Sequence, residues 1–203
     1  RYRRWSSIWR DEERTALSAP AFQESLAGHD PVAYLSGAWE SAPGSGAAAR
    51  TNALDVLTYL PGDILAKVDA ASMAVGLEVR CPFLDPAVVD FGLSLPLEWK
   101  RDGFRGKRIL REALADRLPP GIAARGKKGF GVPVGAWFRG PLKAMARDLL
   151  LSPRARERGL FDPAAVESLM SAHESGRIEA GARLWSLLWL EAWFREVLEP
   201  AAG

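Results

Sequence analysis

Apolar residues recur at three- and four-residue spacing along most of the chain, which is typical of amphipathic helices. One clear series runs from Asp63 to about Ala74, and a longer one covers residues 182–198. Proline and glycine interrupt these series so often that most helices are expected to be short. The pattern therefore predicts a mostly helical chain.

Asp-Pro pairs mark three expected helix N-termini, because Asp is a favoured N-cap and Pro is tolerated at the first helical position. The pairs begin at Asp30, Asp85 and Asp162. In the middle of the chain, Thr51 is expected to cap a helix that Pro61-Gly62 ends, and a second helix is expected to stop at Gly76.

Residues 77–81 are the best candidate for an extended strand, and residues 105–118 form an expected amphipathic helix. Residues 42–49 are rich in Gly and Ala and are interpreted as a flexible loop, the one plausible internal boundary. In the long C-terminal helix, Trp185, Trp189 and Trp193 recur every four residues. Such a stripe favours a packed core or a docking surface over a binding site.

Composition narrows the class of protein. The chain has 203 residues, with 48% hydrophobic and 26% charged, which fits one large domain or a domain with a lobe. No apolar run approaches the roughly 20 residues that span a bilayer. Cys81 is the single cysteine, so no internal disulfide is possible, and a cytoplasmic location is expected. His29 and His173 have no partners in a metal-binding pattern and are interpreted as surface or capping residues.

The first residue is Arg1 and no methionine precedes it. We interpret the chain as a piece of a longer protein, although a trimmed terminus would look the same. No strands alternate with helices, and no phosphate-binding glycine motif is present. Any phosphate cradle is therefore expected to come from elsewhere.

Positive charge is concentrated in one block. The formal net charge is only +2, yet residues 99–128 carry ten Lys or Arg and three acids. A local basic block in a near-neutral protein indicates a site for a polyanion, or equally a solvated helix face.

Glu78 lies in an apolar stretch, where an unpaired carboxylate is costly to bury. Arg80 follows two positions later and would share a face with Glu78 in an extended segment. A structural ion pair between the two is one interpretation. A functional carboxylate is the other, because perturbed carboxylates cluster at active sites.

Three ordered blocks resemble the C-terminal part of the synthetase domain of glutamine-dependent asparagine synthetases. Their sequences are YLPGDILAKVDAASMAVGLEVRCPFLD at residues 59–85, GKRILR at 106–111, and RGKKGFGVP at 125–133. The resemblance implies the downstream portion of an α/β adenine-nucleotide α-hydrolase-like (ATP pyrophosphatase) domain, whose parallel sheet lies largely upstream. On this interpretation residues 1–203 belong to one such domain, with a less certain helical segment and loop at 1–50 and a motif-bearing helical lobe at 51–203.

The resemblance also implies roles for individual residues. Glu78 matches the family's acid/base carboxylate in the amide-forming step, and Arg80 would orient it. Lys127 matches a lysine that contacts the nucleotide phosphates, although Lys128 could take that place. Lys107 matches a second phosphate-side lysine. Asp63 and Asp69 also match the motif and are interpreted as structural.

The implied reaction activates the aspartate side chain with ATP and amidates it with ammonia from glutamine, giving asparagine, AMP and pyrophosphate. ATP and Mg²⁺ are the implied cofactors, with the metal ligands expected upstream. The expected partners are the upstream half of the synthetase domain and an N-terminal glutaminase domain, and a homodimer is allowed. Neither nucleic acid nor membrane is an expected partner, and the chain alone is expected to be inactive.

Other functions remain open at this point. A related enzyme could amidate another carboxylate or close a β-lactam. The basic block could serve a nucleic-acid-binding module, although it contains few aromatic residues for base stacking. A non-catalytic helical interaction domain is the third alternative.

Overall fold

The computed structural model describes residues 7–30, 32–44, 46–119, 121–122, 125–126 and 131–199. Contacts divide the chain into two units. We call residues 7–29 and 131–199 the core unit, and the described residues of 30–126 the motif unit. In these described ranges no helix is both long and apolar enough to cross a membrane.

The core unit is an all-helical assembly around one apolar core. Its helices span Asp11–Leu17, Pro20–Ser25, Val134–Arg139, Lys143–Leu150, Pro153–Glu157, Pro163–Glu174 and Gly181–Trp193, with a π-helical turn at Phe194–Leu198. The expected N-cap at Asp162 is confirmed, since its carboxylate accepts a hydrogen bond from the backbone N–H of Ala164 at 2.9 Å.

The long C-terminal helix is confirmed and supplies much of this core. Leu184, Leu187 and Leu188 lie three and four positions apart and are all buried. They pack in one cluster with Phe138 and Met170 from two other helices. The helical period therefore assembles the core as the sequence predicts.

A charged network holds the end of this helix. Glu191 is 7% exposed and forms ion pairs with Arg158 and Arg195. Arg158 also donates to Glu199, at 2.8 and 2.9 Å. These bonds, with those from Arg154, lower the pKa of Glu199 to about 2.

His173 corrects a prediction, because it is fully buried and does not lie at the surface. Its Nε2 lies 2.9 Å from the carbonyl oxygen of Gly135, and its Nδ1 accepts from the backbone N–H of Ala180 at 3.1 Å. Arg139 donates to the His173 carbonyl at 3.0 Å and to Glu179 at 2.6 Å. The ring thus bonds to the buried N–H of Ala180 and to the carbonyl of the half-buried Gly135, two partners that its sequence neighbours do not reveal.

The motif unit consists of shorter elements. Its helices span Ala33–Ser41, Gly46–Leu54, Ala66–Met73, Pro86–Ser94, Leu97–Lys100 and Arg108–Ala113; a π-helix covers Asp55–Leu65, and a 3₁₀ turn covers Pro82–Leu84. Strands Arg101–Asp102 and Arg105–Gly106 pair in an antiparallel hairpin. The mostly helical class is therefore confirmed.

The predicted break at Pro61 is wrong. The π-helix Asp55–Leu65 joins its two neighbouring helices without interruption, and Pro61 lies inside it. Thr51 is accordingly inside a helix, where its hydroxyl donates to the carbonyl of Ala47 at 2.7 Å, and it caps nothing. In a π-helix each backbone N–H bonds to the carbonyl five residues earlier, one residue further than in an α-helix. The hydrogen-bond register therefore changes around Pro61, which has no N–H to donate.

The predicted stop at Gly76 is confirmed. Gly76 has φ +66° and its N–H donates to Met73, while the N–H of Leu77 donates back to Ser72 at 2.9 Å. This pair of bonds closes the helix in a Schellman motif, and glycine suits the left-handed position that the motif needs. The chain therefore leaves the helix in a defined direction toward Glu78.

Three other expectations differ from the structure. Residues 77–81 are irregular and exposed, because no described strand pairs with them. The helix expected over 105–118 is restricted to Arg108–Ala113, since the hairpin takes Arg105 and Gly106. Part of the expected loop at 42–49 is also helical, beginning at Gly46.

Few side chains are buried in the motif unit. Among its described residues the buried apolar ones are Ala42, Ala53 and Leu54. Large apolar side chains are exposed instead, including Val75 at 79%, Phe83 at 65% and Phe104 at 103%. The described surface of this unit is therefore rich in large apolar side chains.

Candidate functional site

Glu78 and Arg80 form an ion pair on the irregular segment that follows the Gly76 turn. Both side chains are exposed, Glu78 at 68% and Arg80 at 83%, so the expectation of a buried carboxylate is wrong. The apolar neighbours Leu77 and Val79 are exposed as well. Their hydrophobicity belongs to the uncovered surface of the motif unit and does not indicate a local core.

A hairpin and a short helix build the second part of the site. Gly103 turns the hairpin at φ +54°, and Lys107 follows the second strand at φ +58°. Lys107 is the one non-glycine residue with positive φ in the described ranges. A left-handed backbone costs an L-residue roughly 1–2 kcal/mol, so this position would be expected to favour glycine.

A cavity of about 700 Å³ opens beside this turn. Its lining combines basic side chains with apolar ones: Phe83, Phe104, Arg105, Gly106, Lys107, Leu110, Arg111, Leu114, Leu118, Ile122, Arg125 and Gly126. Phe83 belongs to the segment after Glu78, whereas Glu78 and Arg80 themselves are not lining residues. The structure therefore brings Lys107 into the cavity and keeps the Glu78–Arg80 pair outside its wall.

The charged side chains that line this cavity are basic. Four of its lining residues are Lys or Arg, and among the described residues no Asp or Glu lines it. The nearest acid along the helix, Glu112, is bound to Arg108 at 2.8 Å. That bond raises the pKa of Arg108. Because a group of positive side chains attracts negative charge, a cavity with this lining favours an anionic ligand.

Two arginines on the same short helix differ in their bonding. Arg108 donates to Glu112 and to the carbonyl of Glu98 at 3.1 Å, and its guanidinium lies 6.0 Å from the centre of the Trp99 ring. The Nε of Arg111, in contrast, is buried and has no hydrogen-bond partner among the residues that the structure describes. A buried donor without an acceptor lowers stability by about 1–3 kcal/mol. Such donors are uncommon in folded proteins.

Lys127 and Lys128 lie outside the described residues. Gly126, which precedes Lys127 in the sequence, is part of the cavity lining. Asp63 lies inside the π-helix and forms an exposed ion pair with Lys67 at 3.4 Å, so it neither starts a helix nor belongs to a buried network. In the described parts of the chain, no three His, Cys, Asp or Glu side chains lie close enough to hold a metal ion.

Sequence reasoning overlooked Arg111 and Arg125 as members of this cavity. Both are inside the basic block, and Arg111 stands four positions after Lys107, on the same side of a helical turn. The sequence therefore contained this spacing as a signal. It did not reveal that the Nε of Arg111 is buried, because burial depends on which apolar residues pack over the guanidinium.

Comparisons with known proteins agree with the three motifs. The model of one protein family, Asparagine synthase, matches residues 1–195. A Mycobacterium tuberculosis protein, provisionally named a glutamine-hydrolysing asparagine synthetase, is 36% identical over 184 residues, which are 90% of this chain and 25% of that protein. Glutamine-hydrolysing asparagine synthetase 1 of Bacillus subtilis is 29% identical over 140 residues, covering 69% of this chain and 22% of its own length.

A vertebrate relative, the glutamine-hydrolysing asparagine synthetase of Gallus gallus, is 31% identical over 146 residues, which are 64% of this chain and 26% of that protein. The chain thus spans about a quarter of the length of the curated relatives it matches. No solved structure matches it.

Proposed function

Because this chain belongs to the asparagine synthase family, we propose that it is the downstream part of an ATP-dependent amide-forming ligase. The full-length protein activates the side-chain carboxyl group of aspartate with ATP. It then joins ammonia, released from glutamine by an N-terminal glutaminase domain, to give asparagine, AMP and pyrophosphate. One domain of the α/β ATP-pyrophosphatase type contains residues 1–203, with its parallel sheet upstream.

The observation that carries this proposal is the cavity beside Lys107, whose described lining has four basic side chains and no acidic one. The phosphates of ATP fit such a lining, since Lys and Arg both bind phosphate oxygens through charge-assisted hydrogen bonds. Lys107 contributes a point charge. Lys127 is placed next to Gly126 in the sequence and acts on the same phosphates, with Lys128 as the alternative.

Glu78 serves the second half of the reaction. When ammonia attacks the activated carboxyl group, the new nitrogen carries positive charge, and a carboxylate can stabilise that charge and accept the proton. Arg80 is bound to Glu78 and orients it. Both side chains are solvent-exposed in this chain, so the reaction requires a covering element to exclude water.

That covering element is the upstream half of the synthetase domain. The exposed side chains Val75, Phe83 and Phe91 form part of the apolar surface that it covers. The isolated chain is therefore expected to bind a hydrophobic dye and to self-associate in light scattering. A monodisperse monomer without dye binding would count against this partner.

ATP is the proposed cofactor because its phosphates suit the cavity. Mg²⁺ is implied by the family, but the described residues offer no fitting ligand group. No step is assigned to it. A cytoplasmic location and a homodimer remain predictions.

The test is amide synthesis by the full-length natural protein. Glu78→Gln is expected to lower ATP- and aspartate-dependent asparagine formation by about 10²-fold or more, the usual range for a general acid–base group. Lys127→Ala is expected to lower it by about 10²-fold or more as well, the loss typical of removing one donor that stabilises developing charge. Glutamine hydrolysis should survive in part. The matched controls are Glu40→Gln and Lys67→Ala, which remove exposed charges of the same unit away from the cavity.

If either variant forms asparagine at the normal rate, the substituted residue has no role in the proposed site. The isolated chain should release no pyrophosphate from ATP and aspartate, and detectable release would refute the need for an upstream half. Full activity on a carboxylate other than aspartate would favour the related amidating or β-lactam-forming reaction.

A further inference from the structure

A second cavity, of about 570 Å³, lies within the core unit, and the proposed function does not use it. It runs between the helix Lys143–Leu150, at Met145, and the long C-terminal helix, at Trp185 and Trp189. We call it the apolar groove, because the nine described residues that line it are all apolar or aromatic. Its volume is in the usual range for sites that bind another molecule.

Three tryptophan rings shape the apolar groove, and one of its walls is open to solvent. The centre of the Trp185 ring lies 6.3 Å from that of Trp137 and 6.0 Å from that of Trp189. Trp185 also packs against the apolar core. In contrast, Trp189 is 60% exposed and Met145 is 42% exposed. Large apolar side chains grouped at a surface mark an interaction site, and tryptophan is enriched at the energetic centres of such sites.

Two acidic residues follow the edge of the groove. Asp148 stands three positions after Met145 and Glu196 stands four after Ala192, so each lies on the same side of its helix as a lining residue. Both are exposed, and among the described residues neither forms an ion pair. Their negative charge is therefore available to a partner.

The basic side chains close to these acids in sequence are already paired. Lys143 and Arg147 share the carboxylate of Glu174, at 3.2 and 2.9 Å. Arg195 is bound to Glu191 at 2.5 Å. The unmatched charge along this edge of the groove is therefore negative, which calls for a partner with positive charge.

We propose that the apolar groove docks a basic amphipathic helix of a partner protein. The apolar side chains of that helix enter between Met145 and Trp189, and its Lys or Arg side chains pair with Asp148 and Glu196. An amphipathic helix laid into an apolar groove is a common mode of peptide recognition. This docking site is independent of the proposed function, since among its described lining residues none is assigned a step of amide synthesis.

The length of the groove fits a helical partner. The lining residues Trp185 and Ala192 are seven positions apart, which is about 10 Å along a helix. Anchors at positions i, i+4 and i+7 of a docked helix span the same distance. A second copy of this chain fits less well, because a twofold contact places the same patch on both sides and brings the two acidic edges together.

The test is binding of a fluorescein-labelled peptide to the full-length natural protein, measured by fluorescence anisotropy at low ionic strength. The probe is a short helical peptide with leucine at positions i, i+4 and i+7 and lysine elsewhere. Saturable binding is expected. The same peptide with glutamate in place of lysine should bind about tenfold more weakly or worse, because its charges repel the acidic edge.

Trp189→Ala is expected to weaken binding of the lysine peptide about tenfold or more, the loss typical of a tryptophan at the centre of an interface. The matched control is Trp193→Ala. It removes another exposed tryptophan of the same helix, one turn further along and outside the described lining, and should change the affinity less than about twofold. Equal losses in the two variants would overturn the proposed site.

The acidic edge has a test of its own. Asp148→Asn combined with Glu196→Gln should weaken binding of the lysine peptide about twofold to tenfold, as expected for two exposed ion pairs. Added salt should remove this difference. The control combines Glu12→Gln with Glu157→Gln, which removes two exposed acids from helices that contribute nothing to the described lining. If both double variants lose the same affinity, net charge alone explains the effect and the edge has no role.

Thermal unfolding of each variant checks that the fold is retained. Absence of saturable binding would overturn the docking site, because another part of the full-length protein would then cover the groove. Equal binding of the lysine and glutamate peptides would overturn the basic partner. A full-length dimer that Trp189→Ala separates into monomers, seen by light scattering, would also overturn it, because a second copy would then occupy the groove.

Discussion

Replacing His173 by leucine should strongly destabilise the core unit. The imidazole is 0% exposed and serves two backbone groups, the carbonyl of Gly135 at 2.9 Å and the N–H of Ala180 at 3.1 Å. Leucine can serve neither of them. Ala180 is itself only 1% exposed, so water cannot easily take the place of the ring.

The magnitude follows from the number of groups left without a partner. A buried donor or acceptor left without a partner costs about 1–3 kcal/mol, and the half-buried carbonyl of Gly135 costs less than the buried N–H of Ala180, so His173→Leu is expected to lose about 2–5 kcal/mol. Asn can place an oxygen near the Nδ1 position, and Gln can place an N–H near Nε2. Each should therefore retain one bond and lose about half as much. A whole domain is typically stable by about 5–15 kcal/mol, so the leucine variant approaches unfolding.

The assay is equilibrium unfolding in urea, followed by tryptophan fluorescence, because Trp137 and Trp185 pack in the core unit. The matched control is His29→Leu, which changes an exposed histidine and should alter the free energy of unfolding by less than about 0.5 kcal/mol. The reasoning is refuted if His173→Leu is as stable as this control. It is also refuted if the leucine variant is no worse than the Asn and Gln variants.

Two further predictions concern the free energy of unfolding. Gly181→Ala should lower it by about 1–3 kcal/mol, because the new Cβ would lie 2.7 Å from the Gly135 backbone. Gly37→Ala, in a helix with open space around it, should instead raise it by about 0.5–1 kcal/mol, and equal shifts in the melting temperature of the two variants would contradict this reasoning. The bonds from Arg158 and Arg154 lower the pKa of Glu199 from 4.5 to about 2, so its contribution should be complete above pH 4.5 and disappear as pH falls toward 2. Glu199→Gln should flatten melting temperature against pH in that window, whereas Glu196→Gln, on an exposed neighbour, should not.

Much of the fold was predictable where local signals are strong. The C-terminal helix, the caps at Asp85 and Asp162 and the stop at Gly76 all follow from side-chain period and capping chemistry. These features depend on residues within about one helical turn. The break at Pro61 was predicted from the same local rules and is wrong, because the π-helix changes register there.

The candidate site was predictable only in part. Lys107 and the Glu78–Arg80 pair could be named from their motifs, and the pair is present. The burial expected for Glu78 is wrong, since apolar neighbours in sequence do not form a core unless other elements pack over them. Arg111 and Arg125 became candidates only because they line the cavity beside Lys107.

The helical class, the family and the position of the basic block follow from residue order and composition alone. The burial of His173, the exposure of Glu78 and the different bonding of Arg108 and Arg111 become visible only in the folded chain. The physical reason is the same in each case. Burial and hydrogen bonding depend on residues far apart in the chain, such as Gly135, which bonds to His173, and Phe83, which lines the same cavity as Lys107.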